Sequence, residues 1–161
     1  MAANRYAAST DVPADRSRSE IERTLERYDA TSFAYGWEGS RALIGFRIGA
    51  RQYRYLLPLP DRNADEFRYT PARGYERSAS DQKQAWEQAC RQRWRALALV
   101  VKANLEAVEA GILTVEQAFL GATMLPSGAT VQEWLEPQIA ETYRTGQMPA
   151  LLPGLPALGE G

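Results

Sequence analysis

The chain has 161 residues, 45% of them apolar and 24% charged, with a net charge of −1, no histidine and one cysteine. That composition suits one globular domain with a single core. It excludes imidazole triads, His-ligated zinc, internal disulfides and cysteine-ligated clusters.

Neither a G-x-x-x-x-G-K-[ST] nor a G-x-G-x-x-G nucleotide motif is present. No apolar run approaches the ~20 residues of a membrane span, and the first residues lack a signal-peptide core. A soluble protein that stays in the cytoplasm where it is made is the expectation. The small net charge hides an asymmetry. Gly39 to Pro60 holds Arg41, Arg47, Arg51 and Arg54 and no acid. Gln88 to Leu105 holds Arg91, Arg93, Arg95 and Lys102, again with no acid. From Glu106 onward, glutamates face the single Arg144. Basic patches beside an acidic C-terminal third make a dipolar molecule. The dominance of arginine over lysine suits phosphate recognition, but the codon usage of a GC-rich genome is the better account of it.

Residues 1–16 are small, polar and aperiodic, and read as a flexible arm. Ser17 to Ala30 is the first predicted helix, with Ser19 and Glu22 as a capping box and Ile21, Leu25 and Tyr28 as its apolar stripe. The period then falls to two. Phe33, Tyr35 and Trp37 mark one strand, Ile44, Phe46 and Ile48 a second, and Tyr53, Tyr55 and Leu57 a third. Glu38-Gly39-Ser40 and Gly49-Ala50-Arg51 are the turns, which makes an antiparallel meander. Pro58 and Pro60 place the third strand at an edge. Asp61 to Ser78 has no period, and a loop of that length is usually functional or disordered.

Ser80 to Gly111 reads as one long helix. Trp86, Cys90, Trp94, Leu97, Val101, Leu105, Val108 and Ile112 recur at steps of three and four along one face. Ser78 or Ser80 caps its start and Gly111 its end. Ala96 to Val101 is apolar on every side, so that turn is expected to be buried all round. Thr114 with Gln117 opens a short helix that turns Val115, Ala118 and Phe119 inward. Thr130 with Glu133 opens a final helix, which Pro137 should kink or restart and Gly146 ends. The expected fold is α+β: an N-terminal helix, a three-stranded antiparallel meander packed on one long helix, two shorter helices and an extended tail. One domain covers residues 17–146, and 147–161 form the Pro/Gly/Leu-rich tail.

Three constellations are candidates for function. On the outward sheet face, Arg41, Arg47, Gln52 and Arg54 stand among Ala34, Gly36 and Gly45, which is either a phosphate-receiving face or an ordinary solvated one. On the long helix Arg91, Arg95 and Lys102 share one flank, open for phosphate or paired with glutamates. In the loop, Arg62, Arg68, Arg73 and Arg77 interleave with Phe67, Tyr69 and Tyr75, a single-strand-binding composition diluted by acids. Asp61, Asp65 and Glu66 are the candidates for a two-metal carboxylate site, and surface charge on a solvated loop is the better reading of them. Cys90 lies on the apolar seam as a small buried hydrophobe.

The segments LPLPDRN (Leu56 to Asn63), AWEQACRQRWRALALVVKANLEAVEAGI (Ala85 to Ile112), LPSGATV (Leu125 to Val131) and GQMPALLPG (Gly146 to Gly154) together resemble a family of small proteins of unknown function from tailed bacteriophages and prophages. The resemblance implies a phage-type protein acting in a bacterial cytoplasm, and carries over no site residue. A helix, a meander and a long helix is also the broad order of single-strand annealing proteins, a fold-level analogy. The leading expectation is a non-enzymatic protein without cofactor or metal. It would bind single-stranded nucleic acid in phage DNA metabolism or recombination through Arg41, Arg47, Arg54, Arg91, Arg95 and Lys102, as a homo-oligomer. Two alternatives stay open: an anti-defence protein that binds a host protein or sequesters a nucleotide signal, and a structural or assembly protein.

Overall fold

The computed structural model describes residues 14–148. Residues 1–13 of the arm expected over 1–16, and residues 149–161 of the tail expected over 147–161, lie outside the described residues. Helix α1 spans Asp15–Glu26 and starts two residues before the predicted Ser17. Ser19 is therefore inside the helix, where its carbonyl accepts a hydrogen bond from Arg23 Nε at 3.2 Å and its hydroxyl caps nothing. The earlier start has a tertiary cause. Ala14 is buried in the main core with Ile21 and Leu25, so Ala14 to Arg16 belong to the folded unit and not to an arm.

Strands β1 (Ala30–Glu38), β2 (Arg41–Ile48) and β3 (Arg51–Pro58) form an antiparallel sheet in the order β1-β2-β3. Each hairpin turns on two residues, with Gly39 and Gly49 in the first position at φ +60° and +59°. Only glycine takes that left-handed value without strain in so tight a turn. A bulge at Ser32 (φ +61°) separates Ala30, opposite Ile48, from Phe33, opposite Phe46. The extra residue lets both Ala30 and Phe33 point inward although they are three apart, which a plain period of two forbids. The outer edge of β3 is partly covered, because Met124 N–H donates to Gln52 O at 2.8 Å.

The inner face carries Ala42, Ile44, Phe46 and Tyr53, all buried, and Phe46 and Tyr53 stack at 5.3 Å between ring centroids. Phe119 closes over both rings at 5.6 Å. Each fully buried aromatic or branched side chain here contributes ~1.5–3 kcal/mol of transfer free energy. Short helix α2 (Asp65–Arg68) precedes the long helix α3 (Ala79–Glu109), whose 31 residues pack on that face through Trp94, Leu97, Ala98, Val101 and Leu105. Ser78 is its cap, with Asp81 N–H donating to Ser78 Oγ at 3.2 Å. A Schellman motif ends it: Ile112 N–H reaches Ala107 O and Gly111 N–H reaches Val108 O, with Gly111 at φ +71°.

Two expectations about this helix are corrected. Ile112 does not extend the seam, because the left-handed turn at Gly111 redirects the chain and leaves Ile112 73% exposed. The Ala96 to Val101 turn is not buried all round. Leu97, Ala98 and Val101 are inside, but Leu99 is 55% and Val100 49% exposed. The sheet and α1 cover one side of α3, and no described element covers the opposite one. Helix α1 lies parallel to α3 on the same sheet face. Arg18 near the start of α1 lines one cavity with Trp94 at the middle of α3, and beyond the end of α1 Tyr28 Oη donates to Glu109 Oε2, at the end of α3, at 2.6 Å.

The aperiodic stretch from Asp61 to Arg77 is ordered by a small second core. Phe67, on α2, is buried against Trp86 and Cys90 of α3, and Trp86 Nε1 donates to Pro60 O at 2.9 Å. Helix α4 (Val115–Ala118), a 3₁₀ turn (Leu120–Ala122) and helix α5 (Val131–Thr145) follow. The predicted capping boxes at Thr114/Gln117 and Thr130/Glu133 are both formed. Pro137 does not interrupt α5, which runs on through it. The helix is exposed, so water can satisfy the Glu133 carbonyl that proline leaves without a donor.

Candidate nucleic-acid interface

Strand register puts Arg41, Arg47 and Arg54 on the outward sheet face, as alternation predicts. Gly45 sits between Ala34 and Arg54, and Arg47 opposite Gln52. That face is less cationic than the local sequence suggests. Arg41 Nη2 bonds Glu38 Oε2 at 2.6 Å across the first hairpin. Arg54 Nη2 bonds Glu133 Oε2 at 2.6 Å, and its Nη1 donates to Gly128 O at 3.1 Å. Arg54 Nε is buried with no partner among the described residues. Arg47 alone of the three has no ion pair among the described residues. A cavity of about 350 Å³, floored by Ala34 and Gly45 and flanked by Arg47, Gln52 and Arg54, opens on this face. Glu133 neutralises one of the two guanidinium groups beside it.

Glu133 itself is held below the usual carboxylate range. The Thr130 backbone N–H, which donates to Oε2 at 2.7 Å, is the main cause, and Arg54 adds to it.

The second acid-free stretch lies elsewhere. Arg91, Arg95 and Lys102 are exposed on one flank of α3. Lys102 Nζ approaches Glu106 Oε1 at 3.8 Å, whereas Arg91 and Arg95 have no ion pair among the described residues. Because α3 packs on the inner sheet face, this flank is separated from Arg41, Arg47 and Arg54 by the whole sheet. The two arginine stretches do not merge.

The flank meets a different set of cations instead. Between α1 and α3 runs an open groove of about 800 Å³, lined by Arg16, Arg23, Arg27 and Lys102 together with Glu20, Thr24 and Glu26. The α1 arginines were missed as site residues. Their signal was legible, since residues 16, 23 and 27 are spaced by seven and four and so share one helical stripe.

The loop constellation has internal uses. Arg77 Nη1 donates to Glu66 O at 3.2 Å, and Arg62 and Arg68 lie over Trp86 and Tyr69 at 5.6 and 5.7 Å. Phe67 is buried, while Arg73 and Tyr75 stay exposed. Asp61 Oδ1 accepts from Asn63 N–H at 2.9 Å as a turn cap, and Asp65 and Glu66 occupy the first turn of α2. Among the described residues no group of three or more His, Cys, Asp or Glu side chains is arranged to hold a metal ion. No helix among them is long and apolar enough to cross a membrane. No family model, curated protein or solved structure matches the chain.

Proposed function

We propose that this chain is a non-enzymatic, phage-type protein that binds single-stranded nucleic acid, with the groove between α1 and α3 as its interface. The observation that carries the reading is the convergence of Arg16, Arg23, Arg27 and Lys102 along one open groove. Arg95 and Arg91 continue the same flank, Arg91 lying about 16 Å along the axis from Lys102. A backbone laid in the groove would meet phosphate-binding side chains from two parallel helices. Glu20 and Glu26 line the same groove and lower its net positive charge. Arg41 and Arg54 are committed to Glu38 and Glu133, and support the fold in this reading.

Anisotropy of a labelled oligonucleotide, titrated at several salt concentrations, tests the proposal. Neutralising four to six phosphates predicts a slope of log K against log[salt] of roughly −3 to −4. No binding at low salt, or a slope near zero, would overturn it.

One observation favours a second reading, contact with another protein in host takeover or assembly. Helix α5 has no buried residue, and Trp134, Ile139 and Tyr143 on it are exposed. A stoichiometric complex formed with the wild type and lost with Trp134→Ala would support that reading over the first.

A further inference from the structure

The outward face of the sheet has a gap at its centre where a side chain is missing. Across the strands Gly45 lies between Ala34 and Arg54, and along β2 the same face continues with Leu43 on one side and Arg47 on the other. These neighbours and Met124 line the cavity of about 350 Å³, within the ~300–1,000 Å³ range of small-molecule sites.

The backbone does not require that glycine. Gly45 has no positive φ, and a Cβ built on it would stand 3.7 Å from Ala34 Cβ and 3.8 Å from Tyr53 O, ordinary contact distances. Glycine inside a strand weakens it, and often marks a place where a ligand comes close to the backbone. Ser32, in the bulge on β1, lines the same cavity at φ +61°, a strained value for a residue with a side chain.

The lining sets the chemistry. Ala34, Leu43 and Met124 offer an apolar bed that suits a flat ring. The Arg54 charge is matched by Glu133 at 2.6 Å, which leaves one uncompensated guanidinium, that of exposed Arg47. A single positive charge fits a carboxylate better than a phosphate monoester, which carries about −1.5 to −2 at neutral pH. A guanidinium also presents the two parallel N–H groups that a carboxylate accepts. Gln52, directly across from Arg47, adds an amide donor. Arg54 Nε, buried without a partner among the described residues, is a further donor in the same wall.

We propose that this cavity binds a small ring-bearing carboxylate, with the ring over Gly45 against Ala34, Leu43 and Met124 and the carboxylate on Arg47 and Gln52. The site lies on the sheet face opposite α3 and does not depend on what the groove beside α1 binds.

Chemical-shift titration of the full chain with benzoate and indole-3-acetate tests it. Both should give saturable shifts confined to the cavity, while benzamide, indole-3-acetamide and inorganic phosphate bind at least tenfold more weakly. Arg47→Gln should weaken both acids at least tenfold and leave the spectrum otherwise unchanged, since the side chain is exposed. Gly45→Val should abolish binding with an equal or higher unfolding midpoint, because it fills the cavity with a residue that favours strands. Arg23→Glu with Arg27→Glu, which disables the groove, should bind the acids as the wild type does. Shifts that never saturate, amides or phosphate that bind as tightly as the acids, or undiminished binding in Arg47→Gln or Gly45→Val would each overturn the proposal.

Discussion

Arg54 on the edge strand and Glu133 in the first turn of the last helix meet at 2.6 Å, and Glu133 Oε2 also accepts the Thr130 backbone N–H at 2.7 Å. One carboxylate thereby closes a capping box and ties α5 to the sheet. Since α5 buries no residue of its own, this junction and the neighbouring 3₁₀ turn are its main attachments.

Glu133→Gln should cost about 1 kcal/mol at neutral pH, the scale of a capping interaction plus a partly exposed ion pair. The Glu133 carboxyl titrates below its ordinary value in the folded state. Its stabilisation is therefore present above the unfolded pKa and lost as pH falls through the folded one. Urea denaturation at pH 7 and in acid should show the gap between wild type and variant closing as pH drops below about 4.5.

Phe67→Ala should destabilise by about 3 kcal/mol, because it empties the small core shared with Trp86 and Cys90. The same change should expose the Asp61 to Arg77 segment to limited proteolysis while α1 and the sheet stay resistant. Uniform resistance in the variant would show that the segment is held by something other than Phe67.

Cys90 should resist thiol reagents until the protein unfolds. Burial first, and Glu87 second, push its thiol up to about 11 from 9.0. Its contribution to stability is complete below pH 9 and is lost as pH rises toward 11, since the unfolded thiol ionises first. Labelling kinetics across a denaturant series check the first point, and alkaline denaturation of Cys90→Ser against wild type checks the second.

Gly111→Ala should cost about 1–2 kcal/mol, the penalty of a left-handed residue with a Cβ. Gly111 has φ +71° and open space around it, so the cost is conformational and not steric crowding by neighbours. Thermal unfolding measures it.

Charge reversal separates the two basic faces. Arg23→Glu with Arg27→Glu should weaken oligonucleotide binding at least tenfold at low salt, and Arg47→Ala should leave it nearly unchanged. Equal losses from both would mean that the sheet face binds as well.

Much of the fold was legible because its signals are local. Periods of two and of three to four, the Thr114/Gln117 and Thr130/Glu133 boxes, and glycines at the hairpins and the end of α3 all act within a few residues. The outward arginines followed from alternation alone. What distance hid was their partners. Nothing near Arg54 announces Glu133, which lies 79 residues away. Glu38 and Arg41, flanking a two-residue turn, were a readable cross-strand pair that was overlooked. The exposed side of α3 was misjudged because an apolar turn does not say how many neighbours the fold supplies. Phe67 reads from the sequence as one of the loop's contact aromatics and is instead core, because one buried side chain in a loop has no periodicity to mark it.

The bulge at Ser32 reaches beyond the packing of Phe33. It lies on β1, the strand at one rim of the sheet, with which only β2 pairs among the described residues. A kinked, over-twisted rim is a poor template for an incoming strand, whereas a flat one invites stacking into fibres. With growth at that rim discouraged, the sheet stays at three strands, and new partners are left to the helices.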